Sequence, residues 1–252
     1  MNTNIDEKIF SEIPLKTFRW LGVNESTTEA EIKISQQMIK ADEKCKFILT
    51  NLDDETFAKK FHFNVDQGGS LEIICVDVAE ADSFCEIVVD LDGDNSSAEL
   101  IAAYFGDGDR KVDMNYIIRH KGKKTDATMD VKGALSGKCD KIFRGTLDFL
   151  QGSSGSVGRE REEVIILSNN VRNRSVPLML SHEDDVDGHH AVTVGRIDEE
   201  KFFYLMSRGL DQIEAEKLII EAAFNPVIEK IDDENLKNEI FAVIESRLAN
   251  VK

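Results

Sequence analysis

The chain has 252 residues, 41% hydrophobic and 7% aromatic, enough for one large domain or two small ones around a sizeable core. Its formal net charge of −17 speaks against nucleic-acid phosphates and anionic membrane surfaces as partners, because both reward Lys and Arg. No run of about 18 apolar residues exists, the start "MNTNIDEKIF" has no apolar signal core, and Cys45, Cys75, Cys85 and Cys139 form no CxxC pair, so a cytoplasmic, reduced protein with buried core cysteines is expected.

Residues 1–40 read as a helical arm. "NESTTEAEI" offers Ser26 or Thr27 as an N-cap, with Glu29 or Glu31 following. "PLKTFRWLGVN" supplies Phe18, Trp20 and Leu21, expected to anchor the arm on the main body.

Residues 41–195 read as a β core. "KFILTNL", "SLEIICVDV", "CEIVVDLDGD", "KVDMNYIIRH", "ATMDVKGAL" and "EEVIILSNN" are short runs, alternating or continuously apolar, punctuated by Asp, Gly, Asn and Ser. Only "NSSAELIAAYF" offers a helical alternative. Two architectures fit: an antiparallel sandwich or barrel, and a β-helix whose coils stack strand on strand. No clean repeat and no Asn–Gly hairpin signal decides between them. Charge is segregated along this region. Residues 61–109 hold no Lys or Arg, and 110–174 bring many cations. Two solvated faces of opposite sign are the plain expectation, a self-complementary docking surface the functional one.

Residues 196–252 turn helical. Asp198 caps "EEKFFYLMSR", Gly209 stands where a helix C′ glycine belongs, and Asp211 with Glu214 makes a capping box. Pro226 is expected to end the second helix. A third starts at Asp232 or Asp233, with Leu236, Ile240, Val243, Ile244 and Leu248 on one stripe. That stripe must cover the β core, a partner, or both.

Three stretches are candidates for chemistry. "GSSGSVGRE" (Gly152–Glu160) is Gly-rich but lacks the Gly-Lys-Ser/Thr ending and a following helix, so a turn is favoured over an anion cradle. No GxSxG motif supports a Ser-His-Asp triad. "SHEDDVDGHH" (Ser181–His190) is the densest set of ligand-type side chains. In a strand, Asp185, Asp187 and His189 share one face, while Val186, Gly188 and His190 share the other, inner one. Carboxylate with imidazole suits iron, manganese or zinc, although no fixed ligand spacing is present. A stand-alone metal-binding β protein using residues 181–190, with hydrolysis as its enzymatic form, is the alternative function.

The stretch "GHHAVTVGRIDEEKFFYLMSRGLDQIEAEKLIIEAAFNPVIEKI" resembles the C-terminal signature of the SufB/SufD family of iron–sulfur cluster assembly proteins. The match runs through His190, Thr193, Gly195, Arg196, Ile197, Asp198, Phe203, Tyr204, Leu205, Ser207, Arg208 and Gly209. "YIIRHKGKKTDATMDVKGALSGKCDKIFRGTLDF" is similar to the family's β-helix coils, and "TFRWLGVNES" to the motif before them. The resemblance implies a mainly β fold, a right-handed parallel β-helix followed by a small helical domain at 196–252. It implies a non-enzymatic scaffold in iron–sulfur cluster assembly. Its partners would be a SufC-type ABC ATPase docked on Phe203, Leu205, Met206, Arg208 and Gly209, and a second SufB/SufD-type chain paired through the β-helix. His190 takes the signature histidine's place as candidate ligand for iron or a transient cluster, with no resident cofactor, no nucleic acid and no membrane. The chain is shorter than typical members. Val171 stands where SufB-type members have a cysteine and Ala191 where they have a glutamate, which makes this chain SufD-like.

Overall fold

In a strand, successive side chains point to opposite faces, so a short alternating run buries one face and wets the other. A chain of such runs without hairpin turns can satisfy its backbone by stacking each run on the one a full coil earlier. That arrangement is present in the computed structural model, which describes residues 8–13 and 20–250. An antiparallel pair, β1 (Lys8–Glu12) and β2 (Glu25–Thr28), precedes two six-stranded sheets. Sheet I holds β3 (Lys33–Ile39), β5 (Phe57–Val65), β7 (Ser83–Leu91), β9 (Lys111–His120), β11 (Asp140–Phe149) and β13 (Arg172–Ser181). Sheet II holds β4 (Lys44–Asn51), β6 (Ser70–Asp77), β8 (Ser97–Gly106), β10 (Asp126–Leu135), β12 (Ser156–Ile166) and β14 (Val186–Arg196). Neighbouring strands within both sheets pair in parallel. The chain is a β-solenoid of about six turns, and the sandwich or barrel is ruled out.

The register explains why no repeat is visible in the sequence. Phe57 stacks on Ser83, a step of 26 residues, while Asp140 stacks on Arg172, a step of 32. The coils lengthen along the chain, mostly in their turns. Those turns also stack closely: a Cβ at Gly122 would run into the backbone of Gly93 one coil below.

The lumen is filled by one parity of each strand, including Ile87, Val89, Leu100, Ala102, Phe143 and Leu147. Sheet II also buries its outer face. Ile74, Val76, Ile101, Ala103 and Phe105 pack under Phe224, Ile228, Ile240, Ile244 and Leu248 of two helices, α2 (Gln212–Ile228) and α3 (Glu234–Asn250). Burial on both faces is why "SLEIICVDV" and "AELIAAYF" read as continuous apolar runs; the second is strand β8. Each fully buried Ile or Phe contributes roughly 1.5–3 kcal/mol, so these helices belong to the core. Arg247 pins α3, pairing with Asp107 and donating to the Val78 carbonyl at 2.9 Å. Lys230 bridges Glu72 (3.0 Å) and Glu99 (2.6 Å). The Asp211–Glu214 capping box is present, and α2 continues through Pro226 to Ile228. Pro226 deprives the Ala222 carbonyl of its helical donor, and α2 ends two residues later.

The helical arm expected at residues 1–40 is not formed where the chain is described. Glu25–Thr28 and Lys33–Ile39 are strands, consistent with the β-branched Thr27 and Thr28 preferring extended backbone over the cap-and-helix reading. The solenoid therefore begins at Lys33. Trp20 and Leu21 do not anchor this region: they are 83% and 38% exposed. Phe10, Ile13 and Val23 are its buried contacts. Phe18 lies outside the described residues.

The charge segregation also resolves in the register. Acids of one coil meet cations of the next: Asp90 with Arg119 and Lys121, Asp92 with Lys121, Asp77 with Arg110. At these positions a block of acids followed about one coil later by a block of cations forms an intramolecular ladder. Cys75, Cys85 and Cys139 are buried free thiols and Cys45 is half-buried. Among the described residues no helix is long and apolar enough to cross a membrane.

Candidate functional site at the open end of the solenoid

Strand β12, "SVGREREEVII", looks like a solvated charged run, but its parity sends Ser156, Gly158, Glu160, Glu162 and Val164 inward. Two carboxyl groups thus enter the lumen one coil below the end of the solenoid. Glu162 is completely buried and paired with the equally buried Lys141 of β11. Tyr104 donates to Glu162 Oε1 at 3.1 Å, and Lys141 Nζ donates to Ser175 Oγ at 3.0 Å. Burial lowers the Lys141 pKa, against the pull of Glu162. Burial, then the Glu162 charge, pushes the Tyr104 hydroxyl well up. Lys141 answers one carboxylate and leaves the other alone. Glu160 is 3% exposed, its Oε1 has no hydrogen-bond partner, and burial with the nearby Glu162 raises its pKa to about 8. Across the lumen Gly145 makes room for it, since a Cβ there would run into Glu160 Oε1.

A second polar cluster lies nearby. His120 stacks on Phe149 with ring centroids 4.4 Å apart, and its Nδ1 sits 2.6 Å from Thr125 Oγ1, which in turn meets Ser156 Oγ at 2.8 Å. Burial lowers the His120 pKa to about 4, so the ring is neutral. The sequence reading missed this cluster and the lumen carboxyls. Strict alternation in β12, with Val164 in phase with Glu160 and Glu162, was the available signal.

The last coil lies above these groups. In the β12–β14 ladder Glu160 pairs with His190, Glu162 with Val192 and Val164 with Val194. His190 is therefore on the lumen face with Val186 and Gly188, as the sequence predicts. It is exposed, because β14 is the terminal strand of its sheet. Val192 and Val194 are 36% and 47% exposed at the same edge. Val171 is half-buried against the core and Ala191 is exposed.

The rest of the acidic-histidine run has ordinary structural work. His189 meets Asp187 at 3.0 Å on the outer face. Asp185 accepts from Ser154 Oγ at 2.6 Å, and the Glu183 carboxylate accepts from the Gly152 N–H at 3.0 Å. Gly155 donates to the Asp185 carbonyl at 2.7 Å. The Gly-rich loop is thus a turn: the Gly152 and Gly155 N–H groups are taken by the next coil, those of Ser153 and Ser156 by the turn itself, and a strand follows. Among the described residues no group of three or more His, Cys, Asp and Glu is arranged to hold a metal ion.

Beyond β14, helix α1 (Glu199–Ser207) buries none of its side chains. Asp198 caps it through Oδ1, accepting from Glu200 and Lys201. Phe203, Tyr204 and Met206 are 73%, 56% and 43% exposed, and Leu205 is half-buried. Arg208 lies over the Tyr204 ring at 5.2 Å, and Gly209 takes φ +101° to end the turn. A groove of about 490 Å³ lined by Leu218, Ala222, Asn225, Pro226 and Phe241 opens on α2 and α3.

A family model described as the SufBD core domain of SUF-system FeS cluster assembly matches residues 27–223, which include the solenoid, the open end and most of α2. The chain belongs to the SufBD family. It is 30% identical over 169 residues to the iron–sulfur cluster assembly protein SufD of Bacillus subtilis, covering 67% of this chain and 39% of that protein. It is 28% identical over 158 residues to SufD of Escherichia coli, covering 63% and 37%. A SufBD family protein of Mycobacterium leprae is 29% identical over 164 residues. The chain thus spans about two fifths of the length of these three relatives.

Proposed function

We propose that this SufBD chain is a non-enzymatic scaffold of SUF-type iron–sulfur cluster assembly. It pairs with a second SufB/SufD-type chain through its last coil, and His190 offers its imidazole to iron or a nascent cluster, as cargo, at that junction. The observation that carries this reading is the terminal strand β14. It ends the parallel ladder with unpaired backbone groups, exposes Val192 and Val194, and presents His190 directly above the unpartnered Glu160. An exposed, apolar edge strand invites another strand. Imidazole with a nearby carboxyl is a donor set that iron accepts.

The same reading assigns the outer face of α1 to a SufC-type ABC ATPase. Phe203 and Met206 are exposed on a helix none of whose side chains is fully buried, with Leu205, Arg208 and Gly209 shaping its end. The nucleotide chemistry would be the partner's. Affinity co-purification with the ATPase tests this, comparing the wild-type chain with Phe203→Ser/Met206→Ser. Loss of the ATPase with the fold intact is expected; undiminished retention would remove α1 as the docking surface. Deleting residues 196–252 is a poorer test, because α2 and α3 cover the core of sheet II.

A further inference from the structure

The lumen holds two thiols that face each other. β6 and β7 form opposite walls of it and are joined by the turn of residues 78–82. At the mouth of that turn the Ser83 hydroxyl donates to Asp77 Oδ2 at 2.5 Å. Alternation then moves the inward residues of both strands away from the turn in step, so Cys75 meets Cys85 and Ile73 meets Ile87. Cys75 and Cys85 are 3% and 4% exposed, and both are free thiols. From the next coil the Tyr116 hydroxyl donates to Cys75 Sγ at 3.6 Å. Hydrogen bonding to Cys75, then burial, holds the Cys85 thiol well above its ordinary pKa. The turn between the two cysteines is where the helical layer is fastened. The Val78 carbonyl accepts from Arg247 of α3 at 2.9 Å, and the Ala81 carbonyl accepts from Arg110 Nε at 2.6 Å. Val78 itself packs in the cluster that holds Ile240, Ile244 and Leu248.

We propose that Cys75 and Cys85 are a site of oxidative modification: a peroxide joins them in a disulfide that ties the two walls of the lumen beneath the seat of α3. The inference is independent of the roles given to His190 and α1. One sulfur, as its thiolate, attacks a peroxide oxygen and becomes a sulfenic acid, and the O–O bond breaks. The facing sulfur then displaces that hydroxyl, and the S–S bond forms. Two electrons pass from the sulfurs to the peroxide, and the two thiol protons leave in two molecules of water. Because the thiolate is the nucleophile, thiols held protonated react slowly, and closure follows sustained exposure. The facing partner is what diverts the sulfenic acid from further, irreversible oxidation. Closing the short loop from Cys75 to Cys85 restricts the unfolded chain and fixes the turn that carries Val78 and Ala81. The melting temperature then rises by roughly 5–10 °C.

The test treats the folded chain with hydrogen peroxide, quenches it with catalase, alkylates the remaining thiols and maps the peptides by mass spectrometry. The wild type should yield one species lighter by the two thiol hydrogens, with the peptides of Cys75 and Cys85 linked, and dithiothreitol should reverse both the link and the rise in melting temperature. Cys75→Ser and Cys85→Ser should give no linked peptide and no rise. Cys45, which is half-buried, serves as the internal sign that oxidant was sufficient. Three results would overturn the proposal: Cys75 and Cys85 both still reduced after Cys45 has reacted, either of them carried to sulfinic or sulfonic acid without a link, or a link from either to a different cysteine. The peptide map of the wild type decides the matter even where a serine variant folds poorly. A link that forms without raising the melting temperature, with dithiothreitol as the reference, would remove the fastening of the turn.

Discussion

His190 and Glu160 are partners in one parallel ladder, yet the first is exposed and the second is 3% exposed with an unsatisfied carboxyl oxygen. The end of the solenoid makes the difference. One strand has a coil above it and the other has none. A polar group prepared inside the lumen thus lies one strand spacing beneath the open edge.

Glu160 should make stability fall with rising pH. Its folded pKa of about 8 stands above its ordinary 4.5. Between these values the folded state holds a proton that the unfolded state has lost, so the stability gradient with pH is negative. Glu160→Gln removes the group. Its melting temperature should match the wild type near pH 4.5 and exceed it by roughly 8–16 °C at pH 8, equivalent to about 4 kcal/mol. Parallel melting curves across that range would show that Glu160 is not buried and neutral.

Gly145 and Glu160 should be energetically coupled. Gly145→Ala puts a methyl group where the carboxyl lies and should cost about 1–3 kcal/mol in urea unfolding. In a Glu160→Ala background the same change should cost at least about 0.5 kcal/mol less, the Phe143 ring at 2.9 Å from that methyl keeping the remainder, a coupling of the size that contacting residues show. Additive costs would place the carboxyl elsewhere.

Arg144 ties the N-terminal hairpin to the solenoid. It meets Asp113 at 2.7 and 3.2 Å and the Val23 carbonyl at 2.6 Å, all buried. Burial already raises the Asp113 pKa against the pull of Arg144. Arg144→Ala strands that carboxyl and should lower stability by about 3–5 kcal/mol. The loss should be larger at pH 8 than at pH 5, where Asp113 can take up a proton. A loss under about 1 kcal/mol by urea titration would mean that the pair is solvated.

The exposed face of α1 should be silent in stability. Phe203→Ser/Met206→Ser removes two side chains that are 73% and 43% exposed, so the unfolding free energy should change by no more than about 1 kcal/mol. A larger loss would show that α1 packs on its own solenoid.

Much of the fold is legible in the sequence because period-2 alternation and helix caps are local signals. Asp198 and the Asp211–Glu214 box sit where the caps form. The lumen parity of His190 follows from Val186 two steps of alternation away. The choice of a solenoid over a sandwich is not local. It depends on pairings that run from 26 to 32 residues apart and shift from coil to coil, so only the family resemblance carried it. The N-terminal segment misled for a similar reason. Its Ser, Thr and Glu satisfy a helix-start pattern in isolation, but Glu25–Thr28 finds a strand partner in Lys8–Glu12. The lumen carboxyls were hidden because Glu160 and Glu162 stand among Arg159, Arg161 and Glu163, where composition suggests a solvated face.

The central claim, that the open end serves iron–sulfur assembly through His190, is tested most directly by iron content after anaerobic reconstitution with ferrous iron and sulfide. Wild type, His190→Ala and His62→Ala are compared. His62 is the proper control, since its Nε2 meets Asp90 at 2.8 Å on the outer face of sheet I. The account predicts that His190→Ala lowers bound iron at least about fivefold, a loss of roughly 1 kcal/mol or more in binding, while His62→Ala matches the wild type. Equal iron in all three proteins would contradict it.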